Sequence, residues 1–600
     1  MTTQIRLDPR RGSESDQTPH GISYSDGDEV EDYLYSVLRN AVDLSAASSE
    51  LAAAIKDWPS EYHLSPRRHN LLRHLELKST DRVLELGCGC GAITRFLGET
   101  GATIIALEGS PRRAKIAAER CRDLPNVSVR CGNIADFRAA EKFDFVTLIG
   151  VLEYAPRFIE ADDPVGACIG QAESLLKEEG SLILAIENQL GLKYLNGCAE
   201  DHAGVPYYGV QDLYGAGTAV TFGKRELESR LGAAGLSDVA FMYPFPDYKL
   251  PSIVLTSEAF ERPDFKVADL LYRSFSRDYS GGASRAFHEN LVWQPLARNG
   301  LLQDHANSFL VTASRKRPGR RARIDWFART YSAGRLPAYE TETLFRPDGN
   351  GIAVVKRQLF QSASPPDHMG EWKLRHRPAM HASYVSGQLY ATKLQPIMAR
   401  GGGPEAVARW AAPWVERLLA ESLLGPDGKK FVPGARLDAL PSNLVRDSSG
   451  TFFDIDLEWE AGTPVPLAWV LTRGLVNSIG ACPASPAFNG LTFREGVIKI
   501  LENLGLVLSE EDFRTAAAFE DALQDMVSGQ DRSASPYSAL LNGPIYSFTF
   551  PTTFHDEIAG LRVEIAALRA EIIRVKASSS WRLSAPFRVA YNFARKIGRG

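Results

Sequence analysis

The chain has 600 residues, which is too many for one hydrophobic core and predicts two or three domains. Its fractions of apolar (44%) and charged (24%) residues are those of an ordinary globular protein. A net charge of -5 excludes a strongly basic nucleic-acid binder.

The seven cysteines are odd in number and scattered, which favours a reducing compartment over a disulfide framework. Cys88 and Cys90 lack the second pair that a zinc site would need. No run reaches the roughly 18–20 apolar residues that span a bilayer, and no apolar secretory segment opens the chain. The sequence therefore predicts a cytoplasmic protein.

Residues 1–28 are rich in Ser, Asp, Gly and Thr and are predicted to be disordered. From Asp32, apolar residues such as Leu34 and Leu38 recur at helical spacing, and this pattern predicts a helical cap that extends to about residue 76. The cap either packs on the domain or covers a cofactor, and packing is the simpler interpretation.

A glycine-rich turn follows the first predicted strand. Val83–Leu86 is a short apolar run, Gly87, Gly89 and Gly91 alternate after it, and a helix is predicted from Ala92. Glycines allow a tight turn and the close approach of a ligand. The helix N-terminus offers free N–H groups to an anionic part of that ligand.

Strands and helices then alternate, which is typical of a doubly wound parallel sheet with ligands at the carboxyl ends of its strands. An antiparallel last strand is expected at 308–313. The predicted fold class is α/β, a Rossmann-like seven-stranded domain over residues 29–317. The other predicted strands are 83–86, 102–107, 127–131, 143–148, 181–186 and 239–243.

Polar residues at these strand ends suit a nucleoside. Glu108, about 20 residues after the turn, can accept both hydroxyls of a ribose. Asn133 and Ile134 suit the edge and face of an adenine, and Glu85 can hold a cationic amino group. The spacing Gly-x-Gly-x-Gly differs from the Gly-x-Gly-x-x-Gly of dinucleotide sites and favours S-adenosylmethionine.

These ordered motifs resemble those of the class I S-adenosylmethionine-dependent methyltransferases. The resemblance implies methyl transfer from this cofactor, and the alternative is a Rossmann-like domain without it. The residues that the resemblance assigns to the cofactor are Glu85, Gly87, Gly89, Gly91, Glu108, Asn133, Ile134 and Gly150.

The acceptor side is expected after the fifth strand, in Glu187–Gly197 and the following acidic segment. Candidate general bases are His202, Glu187 and Glu153, and histidine has the unperturbed pKa nearest neutrality. Residues from about 250 to 303 are predicted to form an insertion beside this site.

A second domain is predicted at 320–545. Lys356 lies on a predicted hairpin strand, and the spacing of Asp438, Asn443 and Asp456 matches a base followed by two magnesium ligands. This pattern resembles the aminoglycoside-phosphotransferase-like and protein kinases and implies an α+β kinase-like fold that uses ATP and Mg. No glycine-rich loop is recognisable, so a degenerate domain that binds a partner or a glycan is the alternative.

The C-terminal residues have two patterns. Residues 555–577 carry an apolar heptad repeat, which predicts a short coiled coil and a homo-oligomer. Residues 578–600 are basic and aromatic without acids, which predicts either a peripheral contact with an anionic membrane or a solvated tail.

This order of domains resembles the bifunctional methyltransferase–kinase chain terminators of bacterial O-antigen polysaccharide. The resemblance implies a glycan or sugar-phosphate acceptor at the cytoplasmic face of the inner membrane, and no nucleic acid. Two alternatives are a methyltransferase of another small-molecule pathway with a non-catalytic second domain, and a non-enzymatic scaffold. The sequence does not name the acceptor atom.

Overall fold

The structure is a computed structural model that describes residues 26–545, apart from 280–284, 316–323, 333, 350, 361–369, 371, 378–379, 426–427 and 530–534. The predicted coiled coil at 555–577 and tail at 578–600 lie outside the described residues, as do residues 1–25. No helix in the described ranges combines the length and apolarity needed to cross a membrane.

The strands of the described residues are short, and most are bounded by turns. They are β1 Arg82–Leu86, β2 Thr103–Glu108, β3 Val127–Cys131, β4 Phe143–Ile149, β5 Leu176–Glu187, β6 Asp238–Phe245, β7 Ile253–Thr256, β8 Ser308–Ser314, β9 Ala328–Tyr331, β10 Thr341–Asp348, β11 Gly351–Gln358, β12 Arg375–His376, β13 Met380–Ser383, β14 Gln388–Leu389, β15 Leu423–Leu424, β16 Lys430–Val432, β17 Leu444–Arg446, β18 Phe452–Asp454, β19 Trp459–Glu460 and β20 Val465–Pro466.

The helices are longest in the C-terminal third of the described chain. They are α1 Asp28–Asn40, α2 Ser49–Ala53, α3 Trp58–Leu64, α4 Ala92–Glu99, α5 Pro111–Arg120, α6 Ala155–Phe158, α7 Pro164–Ser174, α8 Leu192–Leu195, α9 Lys224–Ala233, α10 Ser257–Glu261, α11 Val267–Leu270, α12 Glu289–Arg298, α13 Leu394–Ala399, α14 Pro404–Ala420, α15 Leu467–Gly480, α16 Phe493–Glu502, α17 Glu510–Ser528 and α18 Pro536–Asn542.

The predicted Rossmann-like arrangement is confirmed. Strands β3, β2, β1, β4 and β5 pair in parallel in that order, and helices connect them. β8 lies antiparallel between β5 and β6, as expected for the strand predicted at 308–313. The carboxyl ends of β1, β2, β4 and β5 therefore meet at one edge, where the predicted cofactor residues cluster.

The sheet has more strands than the seven that were predicted. In the described residues, β7, β9, β10, β11 and β13 continue the sheet beyond β6, which brings it to twelve strands. β7, from the predicted insertion, pairs with β6 on one side and β9 on the other. An uncovered β6 would present an edge of unpaired backbone groups, and this pairing removes it.

The N-terminal cap packs on the first two helices of the sheet domain. Leu34 and Leu38 of α1 share a core with Ile116 of α5. The prediction of disorder to residue 28 extends slightly too far, since Asp26 accepts a 2.9 Å hydrogen bond from Nε2 of the buried His63. Packing, the simpler interpretation of the cap, agrees with these contacts.

The C-terminal helices have a separate core. α14, α15, α16 and α17 bury Trp414 and Trp469 among leucines and valines, and the short strands β14, β17 and β18 form a small sheet beside them. The predicted hairpin with Lys356 is present as β10 and β11, although both strands belong to the twelve-stranded sheet.

Candidate functional site

The turn between β1 and α4 requires its glycines. Gly87, Gly89 and Gly91 have φ of +77°, +56° and +80°, a left-handed conformation that other residues adopt at a cost. A Cβ atom on Gly87 would lie 2.5 Å from the Val151 side chain, and one on Gly91 would lie 2.8 Å from Cα of Ala117. The turn is therefore closed on two sides by packed neighbours.

Glu108, at the end of β2, is held beside this turn by backbone amides. The N–H of Gly89 donates to Oε2 (2.8 Å) and the N–H of Ser110 donates to Oε1 (2.9 Å). Each carboxylate oxygen keeps lone-pair capacity after accepting one hydrogen bond. The carboxylate is therefore oriented to accept two vicinal hydroxyls, and it fits a ribose.

Glu85 is buried within β1 at its carboxyl end. Its Oε2 accepts a 2.6 Å hydrogen bond from Oγ1 of Thr94, which lies in the first turn of α4. Burial raises the pKa of the Glu85 carboxyl to about 7, against the opposing effects of Thr94 and Arg68. A cationic amino group would restore the charged form of Glu85, so this residue also fits the proposed cofactor.

Asn133 and Ile134 lie after β3, at the same edge of the sheet. Oδ1 of Asn133 accepts from the N–H of Ala135 (3.0 Å), and its Nδ2 donates to the Phe158 carbonyl (3.2 Å). The amide thus closes a local turn. Its contact with an adenine stays a prediction, while the buried Ile134 offers the apolar face that was expected.

Gly150, after β4, has φ of +70° and lies against Tyr248, since a Cβ there would be 2.6 Å from the Tyr248 hydroxyl oxygen. Nη1 of Arg68 donates to the carbonyls of Tyr248 (3.2 Å) and Lys249 (3.0 Å). The N-terminal cap, which contributes Arg68, therefore fixes the loop that reaches the acceptor side.

Glu153, Glu187 and His202 meet at the carboxyl ends of β4 and β5. One ligand-type atom from each lies within 4.8 Å of the others. Both carboxylates are almost fully buried, and His202 Nδ1 is 2.9 Å from the Tyr154 hydroxyl. All three candidate general bases are thus in one cluster, covered by the segment that carries His202.

Burial and mutual charge separate the pKa values in this cluster. Burial and the nearby Glu187 raise the pKa of the Glu153 carboxyl to about 8. Burial opposes ionisation of Glu187, but Lys249 and His202 outweigh it and hold the pKa of that carboxyl well below its usual range. For His202 burial is likewise outweighed by Glu187, which raises the imidazole pKa to about 9.

Two lysines, for which no role was predicted from the sequence, complete the cluster. Nζ of Lys249 is 2.5 Å from Oε1 of Glu187 and also contacts Asp201, while Nζ of Lys193 is 2.9 Å from Oδ2 of Asp201. The ring of Tyr279, from the predicted insertion, lies 4.6 Å from Lys249 Nζ. Lys193 is in the segment singled out after β5, but its partner cannot be recognised from spacing alone.

The predicted phosphotransferase residues also come together. Nζ of the buried Lys356 is 2.5 Å from Oδ1 of Asp456 and 2.5 Å from Oε2 of Glu458. Asp456 has φ of +56°, a conformation that is uncommon outside glycine and is concentrated at functional sites.

Asp438 and Asn443 are directly linked, because Nδ2 of Asn443 donates to the Asp438 carbonyl at 3.0 Å. Oδ1 of Asp438 accepts from Nη1 of Arg473 at 3.1 Å. Burial raises the pKa of the Asp438 carboxyl to about 6, and Arg473 opposes this shift. The predicted base, Asp438, is therefore buried and paired with the guanidinium group of Arg473.

Comparison with known proteins gives the class of the first site. Residues 83–180 match the family described as a methyltransferase domain. The chain is 30% identical over 111 residues to a ubiquinone biosynthesis O-methyltransferase of Rhodopseudomonas palustris, and 34% identical over 113 residues to that of Xanthomonas campestris. Each match covers 18% of this chain and 40% or 44% of the relative, so the chain spans less than half of their length.

Among solved structures, the phosphoethanolamine N-methyltransferase 2 of Haemonchus contortus, in complex with S-adenosyl-L-methionine, is 16% identical. That comparison covers 42% of this chain and 53% of the other, with a TM-score of 0.27. The family match covers β1 to the start of β5, including the glycine turn and Glu108. Residues 83–180 therefore match a methyltransferase domain.

Proposed function

We propose that the protein transfers a methyl group from S-adenosylmethionine to a hydroxyl oxygen. The observation that carries this proposal is the buried cluster of Glu153, Glu187 and His202 at the carboxyl ends of β4 and β5. A hydroxyl is a weak nucleophile and needs a group that takes its proton. The O-methyltransferase names of the two relatives support the same type of acceptor atom.

When bound, S-adenosylmethionine would supply the methyl group to the acceptor oxygen and keep the electron pair of the broken carbon–sulfur bond, and a basic residue of the chain would take the hydroxyl proton. The chain's own contribution is alignment and proton removal. Glu85 and Glu108 orient the cofactor from one side. Glu153, Glu187 and His202 face the acceptor from the other.

The finer proposal is a sugar acceptor, which follows from the resemblance to O-antigen chain terminators. Carboxylates are good hydrogen-bond acceptors for sugar hydroxyls.

Calorimetry with S-adenosylmethionine tests the cofactor assignment. Glu108→Gln removes the charge that would accept the ribose hydroxyls, and we expect binding at least about tenfold weaker. Gly89→Arg is expected to abolish binding, since any side chain there adopts a left-handed backbone beside Arg113. Glu141→Gln, an exposed carboxylate, is the matched control. Unchanged binding in Glu108→Gln, or no binding by the unmodified protein, contradicts the proposal.

The acceptor is tested separately by mass spectrometry of surface glycans with and without this protein. Loss of a methyl end group supports the sugar acceptor. An unchanged glycan with intact S-adenosylmethionine binding favours the alternative of a methyltransferase in another small-molecule pathway. A protein that binds no cofactor at all is the scaffold of the third alternative.

A second candidate function, binding and transfer of a nucleotide phosphate, is supported by the contacts of Lys356. A buried lysine paired with the half-exposed Asp456, next to the linked Asp438 and Asn443, has the components of a magnesium–nucleotide site. Lys356 would release Asp456 for magnesium and contact the phosphates instead.

ATP binding in the presence of magnesium tests this candidate. Asp456→Asn and Lys356→Met are expected to lose binding, while Lys430→Met, an exposed lysine of β16, retains it. Lack of ATP binding at millimolar concentration by the full chain leaves a domain that binds a partner or a glycan.

A further inference from the structure

We infer that Glu153, Glu187 and His202 form a binding site for a divalent cation of the Mn²⁺ type. The ligand atoms of the three residues lie within 4.8 Å of one another. Ligands about 2.1 Å from one ion are at most about 4.2 Å apart, so small adjustments would close this set around a cation. The predicted metal ligands of the second domain, Asn443 and Asp456, are separate from this site.

The strongest evidence is the set of polar atoms that the protein leaves without hydrogen bonds. Within the described residues, Oε1 and Oε2 of Glu153 are buried and have no hydrogen-bond partner, while Oε2 of Glu187 and Nε2 of His202 face each other at 3.5 Å, longer than an ordinary hydrogen bond. Glu153 is 1% exposed and Glu187 is 0% exposed. Buried carboxylate oxygens without partners are costly, and a bound cation would satisfy all four atoms.

The remaining polar atoms of two ligands are already held by other groups. Oε1 of Glu187 accepts from Lys249, which leaves Oε2 for the cation. Nδ1 of His202 is 2.9 Å from the Tyr154 hydroxyl, which leaves Nε2 for the cation. Metal-binding histidines are typically oriented in this way by a hydrogen bond to the other ring nitrogen.

The donor set indicates the kind of cation. Two carboxylates suit Mg²⁺ and Mn²⁺, and an imidazole suits the transition metals, so Mn²⁺ satisfies both preferences. Once Glu153 is ionised and His202 is neutral, as metal binding requires, the three carboxylates of Glu153, Glu187 and Asp201 outnumber the two ammonium groups of Lys193 and Lys249. A thiolate is absent from the cluster, which disfavours a zinc site of the structural type.

The role of the cation rests on the proposed function, whereas its binding does not. A bound cation would coordinate the acceptor hydroxyl and lower its pKa, so that its proton leaves to water before the oxygen bonds to the methyl carbon. Methyl transfer would then depend on the cation rather than on one general base. The three candidate bases would act together as its ligands.

Titration of the full chain with Mn²⁺, followed by electron paramagnetic resonance, tests the site. The titration uses Asp456→Asn as the background, so that the second domain does not contribute a cation. We expect one Mn²⁺ per chain, and at least tenfold weaker binding after Glu153→Gln, which preserves size and removes the charge. Glu31→Gln, an equally buried carboxylate in α1, is the control and should bind normally.

A second variant keeps the test valid if Glu153→Gln does not fold. His202→Gln should also weaken Mn²⁺ binding at least tenfold, and Tyr154→Phe, which acts on the ligand's orientation, should weaken it by about tenfold. No Mn²⁺ binding at millimolar concentration, or equal binding by Glu153→Gln and Glu31→Gln, would overturn the inference.

S-adenosylmethionine binding, measured on the same samples, separates this inference from the proposed function. Intact cofactor binding without Mn²⁺ binding rejects only the cation site. Mn²⁺ binding that is lost in Glu153→Gln, in a protein that ignores S-adenosylmethionine, supports the cation site and rejects the proposed function.

Discussion

Nζ of Lys249 lies 2.5 Å from Oε1 of Glu187, which joins the loop after β6 to the carboxyl end of β5. Both side chains are shielded from solvent, at 12% and 0% exposure. The ion pair therefore holds together the region predicted to bind the acceptor, and its loss leaves the Glu187 carboxylate buried without the Lys249 ammonium group.

Lys249→Met should lower the free energy of unfolding by about 3–5 kcal/mol, because removing one member of a buried ion pair strands the other. Urea denaturation measures this change. Lys266→Met, an exposed lysine at the start of α11, should change stability by less than about 0.5 kcal/mol. Equal stability of the two variants would show that Lys249 does not hold Glu187.

The glycine turn provides a second prediction. Gly91→Ala places a Cβ 2.8 Å from Cα of Ala117 at φ of +80°, so we expect a loss of about 2–4 kcal/mol and weaker cofactor binding. Gly170→Ala in α7 meets nothing within 4 Å and should stabilise the protein by about 0.5–1 kcal/mol. Thermal denaturation of both variants, with calorimetry for the cofactor, checks the contrast.

Features that depend on residues close together in the sequence could be predicted from the sequence alone. The turn at Gly87–Gly91 follows from an apolar strand and alternating glycines, and Glu108 follows from a fixed distance along a β-α-β unit. The antiparallel β8 was also predictable, since one strand remained after the parallel order was complete.

The rest depends on contacts between distant segments. Lys249 is 62 residues from Glu187 and 48 from Asp201, and no periodic pattern relates them. The pairing of β7 with β9 likewise joins two segments that sequence analysis assigned to different domains. An edge strand pairs with the strand that the tertiary structure brings next to it. The single sheet that runs through both predicted domains could therefore not be predicted from the β-propensities of the residues.

The buried Glu85 makes cofactor binding depend on pH. Its pKa is raised to about 7 by burial, against Thr94 and Arg68, so the charged form that attracts an amino group is lost as pH falls below 7. Between pH 8 and pH 6 the ionised fraction of the unliganded protein falls about tenfold, and affinity should fall by up to that factor.

Calorimetry at both pH values measures this change in the unmodified protein, in Glu85→Gln and in Glu76→Gln. Glu85→Gln should bind weakly at both, without the pH dependence, whereas the exposed Glu76→Gln should behave like the unmodified protein. A pH dependence that persists in Glu85→Gln would assign it to another group.

The cap segment should make stability sensitive to acid. The Nδ1–H of His74 donates to the Leu71 carbonyl at 3.1 Å, and burial together with Arg329 lowers the pKa of His74 to about 3. In the unfolded chain His74 binds a proton near pH 6.5, whereas in the folded protein it stays neutral until about pH 3. Its contribution to the free energy of unfolding is therefore complete above pH 6.5 and is lost as pH decreases toward 3. His74 alone should account for about 2 kcal/mol lost between pH 7 and pH 5. His69, also buried with its pKa lowered well below 6.5, adds to this loss.

Urea denaturation at the two pH values should therefore show a smaller loss of stability in His74→Asn than in the unmodified protein. The loss should be unchanged in His381→Asn, an exposed histidine of β13. An identical loss in His74→Asn would mean that this histidine takes up its proton without unfolding.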